Sequence, residues 1–199
     1  MEVKKERVIP LSVPAGVAWD FTQNLEAIAS CMPGAAITEK LGDDSYNGKI
    51  RVKIGPVTSD FKGVIEIKEL NAANRTMVVA GSGGDTKGTS KASMELYTSV
   101  KDNGDGTCEL RGRSVVTVTG KLATFGGRMM DDISEELLDQ FIANLTDRVT
   151  AGASAWAADA GGEPAAPAPA KELNAMALLF GALWRWIKSL FGVGRSAGP

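Results

Sequence analysis

Histidine is absent from the chain, and cysteine occurs at only two of its 199 positions. Without histidine, the protein lacks the usual base of Ser–His and Cys–His nucleophile pairs and the commonest side-chain metal ligand. Cys31 and Cys108 are far apart in the sequence and form no C-x-x-C motif. We expect two reduced, buried thiols, with a disulfide or a reactive thiol as alternatives. The sequence therefore predicts no catalytic residue and no metal site.

An excess of charge of one sign is also lacking, since the formal net charge is -2. A domain that binds nucleic acid usually carries a strong basic field, so we expect no nucleic-acid partner. No apolar segment follows the charged residues 2–7. We therefore expect no secretory signal and a cytoplasmic protein.

Three segments resemble functional sites only superficially. Residues 81–85 contain the glycines of a phosphate loop without its Gly-Lys-Ser/Thr ending. Residues 102–106 lack the ligand spacing and the terminal glutamate of an EF-hand loop. Both segments favour turns, and the acidic pairs at 131–132 and 135–136 indicate a solvated helix face.

The first two thirds of the chain alternate between apolar and polar residues, as β-strands do. The pattern predicts a strand over residues 3–13, then short helices from Pro14 through Phe21 and from Leu25 to Cys31. Six more strands follow, at 36–41, 46–54, 58–70, 76–81, 88–100 and 108–119. Because short turns connect them, we expect an antiparallel sheet with one wet and one dry face.

Residues 121–150 then change period, with apolar residues three or four positions apart, which predicts one long amphipathic helix. Strand, two short helices, six strands and a long helix is the order of an α+β helix-grip fold, in which a curved sheet surrounds the helix. We predict an apolar cavity between them, although a filled core would use the same residue types. Its predicted lining is Ile28, Met32, Phe61, Ile65, Leu122, Phe125, Met129, Ile133, Leu137 and Phe141.

The last 49 positions differ in composition from the domain at residues 1–150. Residues 151–171 are rich in Ala, Pro and Gly and indicate a flexible linker. Residues 172–193 predict an amphipathic helix, whose uncharged part is shorter than the roughly 20 residues of a membrane span. We expect it to lie on a membrane surface, with docking on a partner or on its own domain as alternatives. The predicted membrane-binding residues are Leu173, Met176, Phe180, Trp184, Arg185, Trp186, Ile187, Lys188 and Phe191.

Five segments resemble the carbon monoxide dehydrogenase CoxG family of the START-like, Bet v 1-like (SRPBCC) superfamily. They are residues 31–34 (CMPG), 48–57 (GKIRVKIGPV), 61–63 (FKG), 120–128 (GKLATFGGR) and 139–141 (DQF). The resemblance covers about residues 1–150 and implies a helix-grip ligand carrier. It also implies a non-catalytic accessory role beside a molybdenum carbon monoxide dehydrogenase or a related hydroxylase.

The resemblance suggests a specific hypothesis about the ligand. Electrons from a soluble dehydrogenase must reach a quinone that resides in lipid. We therefore expect an isoprenoid quinone, menaquinone or ubiquinone, in the cavity, and a protein held peripherally at the cytoplasmic face of the cell membrane. One alternative is an adaptor that recruits the enzyme to the membrane and binds no ligand. The other is an enzyme like the polyketide cyclases, with Asp, Glu, Tyr or Lys as its acid or base.

Overall fold

Seven β-strands and one long helix dominate the part of the chain that the computed structural model describes, residues 1–55 and 57–158. The strands are β1 (Glu2–Leu11), β2 (Ala35–Lys40), β3 (Ser45–Ile54), β4 (Val57–Asn71), β5 (Thr76–Asp85), β6 (Ser90–Asp102) and β7 (Cys108–Gly120). The helices are α1 (Ala15–Gln23), α2 (Leu25–Cys31) and α3 (Gly127–Ala158), and a 3₁₀ turn, Lys121–Phe125, precedes α3.

All seven strands form one antiparallel sheet in the order β1-β7-β6-β5-β4-β3-β2. Consecutive strands from β2 to β7 pair through short turns, and β1 closes the far edge by pairing with β7. The predicted α+β helix-grip fold, with two short helices after the first strand, is confirmed. The predicted break after residue 81 is wrong, because β5 continues through the glycines to Asp85.

Local sequence signals account for the short helices. The side chain of Asn24 accepts a hydrogen bond from the Ala27 amide at 2.9 Å and caps the start of α2. The helix ends before the proline that the sequence places at position 33. Gly34 then adopts a φ of 76°, and a Cβ there would collide with the carbonyl oxygen of Arg51. Glycine is therefore required where α2 turns into β2.

The long helix differs from its prediction at both ends. Gly120 and Gly126 have φ values of 80° and 83°, so they bound a separate 3₁₀ turn, and α3 begins only at Gly127. At the other end, residues 151–158 of the predicted linker continue α3. The rest of the linker and the predicted helix at 172–193 lie outside the described residues. Among the helices that are described, none is long and apolar enough to cross a membrane.

The core divides into two clusters along the helix. The first joins β1, α1 and β5–β7 to the C-terminal half of α3, where Leu145 and Val149 are buried. Cys31 and Cys108 belong to it as free, buried thiols, which confirms their prediction. The second cluster joins Val3, Ile54 and the end of β7 to Met130 near the start of α3. We call the sheet face that packs on α3 through these clusters the inner face.

Candidate ligand-binding interior

The structure divides eight of the ten predicted lining residues between the two core clusters. Ile28, Ile65 and Phe141 pack against the first cluster. Leu122 is a buried member of the second cluster, against which Phe61, Phe125, Met129 and Ile133 pack. Leu137 lies on α3 between Ile133 and Phe141, that is, between the two clusters. Met32 follows the last residue of α2.

Most of this set is partly exposed, as are other residues that pack against the two clusters, such as Ile67, Leu96 and Val116. Apart from Leu122, every predicted lining residue is half-buried, whereas Leu145 and Val149, farther along α3, are fully buried. A close-packed interior leaves large apolar side chains with almost no accessible surface. Ligand pockets are lined mainly by apolar and aromatic side chains, which is the composition of this set as well as of a filled core. A continuous cavity therefore stays a prediction.

The opposite wall contains a feature that the sequence analysis did not identify. Gly48, Gly63 and Gly83 are paired across β3, β4 and β5, and Ala92 on β6 extends the same row. We call Gly48, Gly63 and Gly83 the glycine row. Its place in the inner face follows from the register, because Ala92 is paired with the core residue Val118. Three adjacent strands thus carry no side chain at this level of the inner face.

Glycine also allows β4 and β5 to approach each other closely at this row. A Cβ at Gly63 would overlap the carbonyl oxygen of Ser82 and lie 2.7 Å from the Cα of Gly83. A Cβ at Gly83 would lie 2.5 Å from the carbonyl oxygen of Lys62. Such close approach of two strands on the concave side is the geometry of a sharply coiled sheet. Glycine inside a predicted strand is the signal that could have revealed it.

Ion pairs fasten α3 to the edge strand β1. The Lys5 Nζ lies 2.7 Å from Glu135 Oε1 and 2.9 Å from Asp131 Oδ1, and Arg7 also contacts Glu135. Hydrogen bonds from Lys5 and then Arg7 lower the pKa of Glu135, and those to Glu135 and Asp131 raise the pKa of Lys5. Asp131 is exposed and Glu135 is partly exposed, so the predicted solvated face holds, but the ion pairs that bind these two acids to the sheet edge were not predicted.

Polar contacts also hold α2 against the C-terminal half of α3. Asn144 donates a hydrogen bond to the carbonyl oxygen of Cys31 at 2.9 Å, and Arg148 donates one to Ser30 Oγ at 2.6 Å. Together with the Lys5 contacts, these bonds fix α3 at two widely separated levels. Leu137 lies between the Glu135 and Asn144 attachments, and Ile133 lies between Asp131 and Glu135.

A buried carboxylate organises the β5–β6 turn. Asp85 accepts hydrogen bonds from the Thr89 hydroxyl at 2.7 Å and from the Thr89 and Ser90 amides at 2.6 and 3.0 Å. These bonds, the Thr89 hydroxyl first, lower its pKa, so the carboxylate is ionised at neutral pH. Ser90 Oγ in turn accepts a hydrogen bond from the Leu122 amide at 3.1 Å. Asp85 therefore holds the turn that positions the start of the 3₁₀ segment.

A depression of about 620 Å³ lies on the other, outer face of the sheet. It is lined mainly by the strand residues that alternate with those of the inner face, among them Glu66, Ala80, Ser82, Ser93 and Glu95. None of the predicted lining residues belongs to it. Its open, mixed polar surface does not suit a fully apolar ligand. The described residues contain no group of three or more Cys, Asp or Glu side chains placed to hold a metal ion.

Solved structures with the same architecture support the fold at low sequence identity. A conserved protein from Geobacillus kaustophilus has a TM-score of 0.67 and 18% identity, over 75% of this chain and 97% of that one. The Zhui aromatase/cyclase from Streptomyces sp. R1128 has a TM-score of 0.54 and 12% identity, over 82% of this chain and 100% of that one. A START superfamily protein from Mycobacterium smegmatis has a TM-score of 0.52 and 15% identity, over 74% of this chain and 97% of that one. At these identities the likeness establishes the fold alone.

The family itself follows from a different comparison. No curated protein matches the chain significantly. The family model for CoxG, a carbon monoxide dehydrogenase subunit, matches residues 9–150. The match runs from β1 through most of α3 and therefore spans both core clusters and the glycine row. The chain belongs to the carbon monoxide dehydrogenase CoxG family.

Proposed function

We propose that this protein carries a respiratory quinone between the membrane and a molybdenum carbon monoxide dehydrogenase or a related hydroxylase. The observation that carries the proposal is the pairing of two walls. One is the glycine row of bare backbone, and the other is the half-buried apolar stripe of α3 around Leu137. An isoprenoid chain is long, flexible and apolar, which suits walls of this composition.

The class of ligand follows from the chemistry of the walls together with the family. The side chains of the stripe are aliphatic, aromatic and thioether groups, and Met129 supplies adaptable, polarizable surface. The family name links the chain to an oxidoreductase that produces electrons. A water-soluble enzyme and a lipid-soluble acceptor need a protein that exchanges the acceptor between the two phases. The predicted tail helix would keep this carrier at the membrane surface.

A ligand carrier requires no catalytic group, and the buried carboxylate of the domain already has a structural role. Asp85 is saturated by hydrogen bonds from its own turn, and its pKa is lowered. An acid catalyst buried in an apolar cavity would instead have a raised pKa. Asp85 therefore does not favour the cyclase-like alternative.

Native mass spectrometry of the full-length protein, purified from a quinone-producing host without harsh detergent, tests the proposal. We expect one isoprenoid quinone per chain, identified after lipid extraction. A Leu137→Trp variant should fill the space and lose the quinone. An Ala143→Trp variant, at an exposed position of α3, is the matched control and should retain it. Thermal melting of both variants verifies that they remain folded.

An empty wild-type protein that still pellets with vesicles would contradict the carrier function and favour the adaptor. The predicted membrane helix is tested separately by deleting residues 171–199. We expect the deletion to release the protein from vesicles. Continued pelleting of the truncated chain would show that the tail is not the anchor.

A further inference from the structure

Two lysines stand directly opposite each other on the outer face of the sheet. Lys49 on β3 is the register partner of Lys62 on β4, and both side chains are exposed. The row continues through Gly84 on β5 to Lys91 on β6, also exposed. Like charges paired across strands destabilise a sheet. Their presence in one row points to an anionic partner outside the domain.

Strand topology places three more lysines at the same end. The β3–β4 turn, the β5–β6 turn and the end of β7 share one end of the antiparallel sheet. We call this the basic end, and its six lysines are Lys49, Lys53, Lys62, Lys87, Lys91 and Lys121, all exposed. Within the described residues, none of the six forms an ion pair.

Two acids at the basic end already have partners. Asp60 accepts a hydrogen bond from Arg51 Nε at 2.6 Å, and Asp85 is bound by its own turn. These bonds are the main cause of the lowered pKa of both carboxyls, to which the charge of Lys87 adds. The opposite end carries charges of both signs, since Asp43, Asp44, Asp102 and Asp105 lie at the same end as Lys40, Lys68 and Lys101. The basic end is therefore the more positive of the two, although the net charge of the chain is only -2. An anionic surface would attract the basic end preferentially.

We propose that the basic end docks on the anionic surface of a lipid bilayer. Lys49 and Lys91 are three strand spacings apart, about 14 Å, and Lys53, Lys87 and Lys121 extend the array toward the turns. A broad array of separate charges matches a bilayer surface, where each lysine contributes independently.

The residue type distinguishes lipid from an acidic protein surface. All six charges of the array are lysines, which are hydrated point charges on flexible stems. Protein interfaces are enriched in arginine and depleted of lysine, because arginine binds carboxylates through two parallel hydrogen bonds. The single arginine among these strand positions, Arg51, is already bonded to Asp60.

Docking in this orientation would also bring the ligand path to the lipid. The β3–β4 turn meets α3 here, since a Cβ at Gly55 would lie 2.8 Å from the terminal methyl group of Met129. The exposed Gly126 and Gly127 lie between this contact and Phe125, the last residue of the 3₁₀ turn. A quinone could then pass between the bilayer and the interior without crossing water. This consequence rests on the proposed function, whereas the docking is measurable without any quinone.

Vesicle binding of the full-length chain tests the docking, with phosphatidylcholine vesicles compared with vesicles that also contain phosphatidylglycerol. The test variant neutralises one row, and the control neutralises the same number of exposed lysines elsewhere on the sheet. The substitutions are Lys49→Gln, Lys62→Gln and Lys91→Gln in the test, and Lys40→Gln, Lys68→Gln and Lys101→Gln in the control. Both variants keep the tail and change the net charge equally.

We expect the test variant to bind anionic vesicles about a hundredfold more weakly at low salt, from about fivefold per lysine. The control should stay within about twofold of the wild type, and neutral vesicles should not distinguish the three proteins. Hydrogen exchange should show that anionic vesicles protect amides of residues 86–89 and 120–126 in the wild type and in the control, but not in the test variant. Because neutralisation removes repulsion between Lys49 and Lys62, the test variant should melt no lower than the wild type.

Two results would overturn the proposal. One is equal binding of the test variant and the wild type to anionic vesicles, without protection at the basic end. The other is unchanged vesicle binding together with lost binding to the dehydrogenase, which would assign the lysines to an acidic protein surface. Failure of the proposed function is a separate result, since it appears as a wild-type protein that contains no quinone.

Discussion

An alanine at position 63 tests whether glycine is what allows the sheet to bend over α3. The added methyl group would overlap the Ser82 carbonyl oxygen and lie 2.7 Å from the Cα of Gly83, well inside the 3.4 Å at which ordinary contact begins. Both obstacles are backbone atoms of β5, so no side chain can rotate away. The two strands would have to separate, which would lengthen the hydrogen bonds of the central ladder.

We expect Gly63→Ala to lower the free energy of unfolding by about 3 kcal/mol, the upper range for overpacking a well-packed interior. With a urea dependence of about 2 kcal/mol per molar, the midpoint of unfolding would fall by about 1.5 M. Urea titration followed by tryptophan fluorescence and circular dichroism measures this shift. Coincident transitions by the two probes verify that unfolding is two-state.

Gly81→Ala is the matched control for this experiment. Gly81 lies on β5 in the same inner face, two positions from Gly83, but its added methyl group would meet only the Met94 methyl group at 3.6 Å and the Val64 carbonyl oxygen at 3.9 Å. These are ordinary contacts, so we expect a change within about 1 kcal/mol. Equal destabilisation by the two alanines would refute the reasoning, because it would show a general cost of alanine rather than a local collision.

Two further predictions concern charges and thiols. Glu135→Gln should lower the melting temperature at neutral pH, because Lys5 and Arg7 lower the pKa of Glu135 in the folded state. A carboxyl group whose pKa is lowered by folding stabilises the protein at pH values above its ordinary pKa, and this stabilisation is lost as the pH falls through its pKa in the folded state. The melting temperatures of variant and wild type should therefore converge in acid. A difference that stays constant with pH would contradict the ion-pair mechanism. Burial raises the pKa of Cys31 and Cys108, so both thiols should react with Ellman's reagent slowly in the native protein and quickly in urea. Rapid reaction of either thiol in the folded protein would contradict their burial.

Local pattern alone predicted the elements and their order. Alternation along β4 and the spacing of three and four along α3 each arise from the geometry of one element, so each is visible in a short stretch of sequence. Helix α2 was predicted from Leu25 to Cys31, and the structure confirms these bounds. The prediction succeeded because both ends of the helix are set by residues adjacent to it in the sequence. The fold class followed from the order of these elements.

Predictions failed where one residue type serves two structures. The glycines at 81–84 predicted a turn, because glycine is the commonest turn former, but in β5 they permit close approach to β4. The ion pairs of the acids at 131 and 135 were missed, because sequence does not show that Lys5 and Arg7 of β1 lie across from them. In both cases the deciding neighbour is distant in the chain.

The sequence by itself determined where strands and helices form and which positions along each of them are apolar, charged or glycine. Only the tertiary structure aligned Gly48, Gly63 and Gly83 into one row, and Lys49, Lys62 and Lys91 into another. The physical reason is that strand register, which is set by turns and by packing on α3, brings together residues that are far apart in sequence. A row of missing side chains and a row of unpaired charges are therefore properties of the sheet rather than of any segment within it.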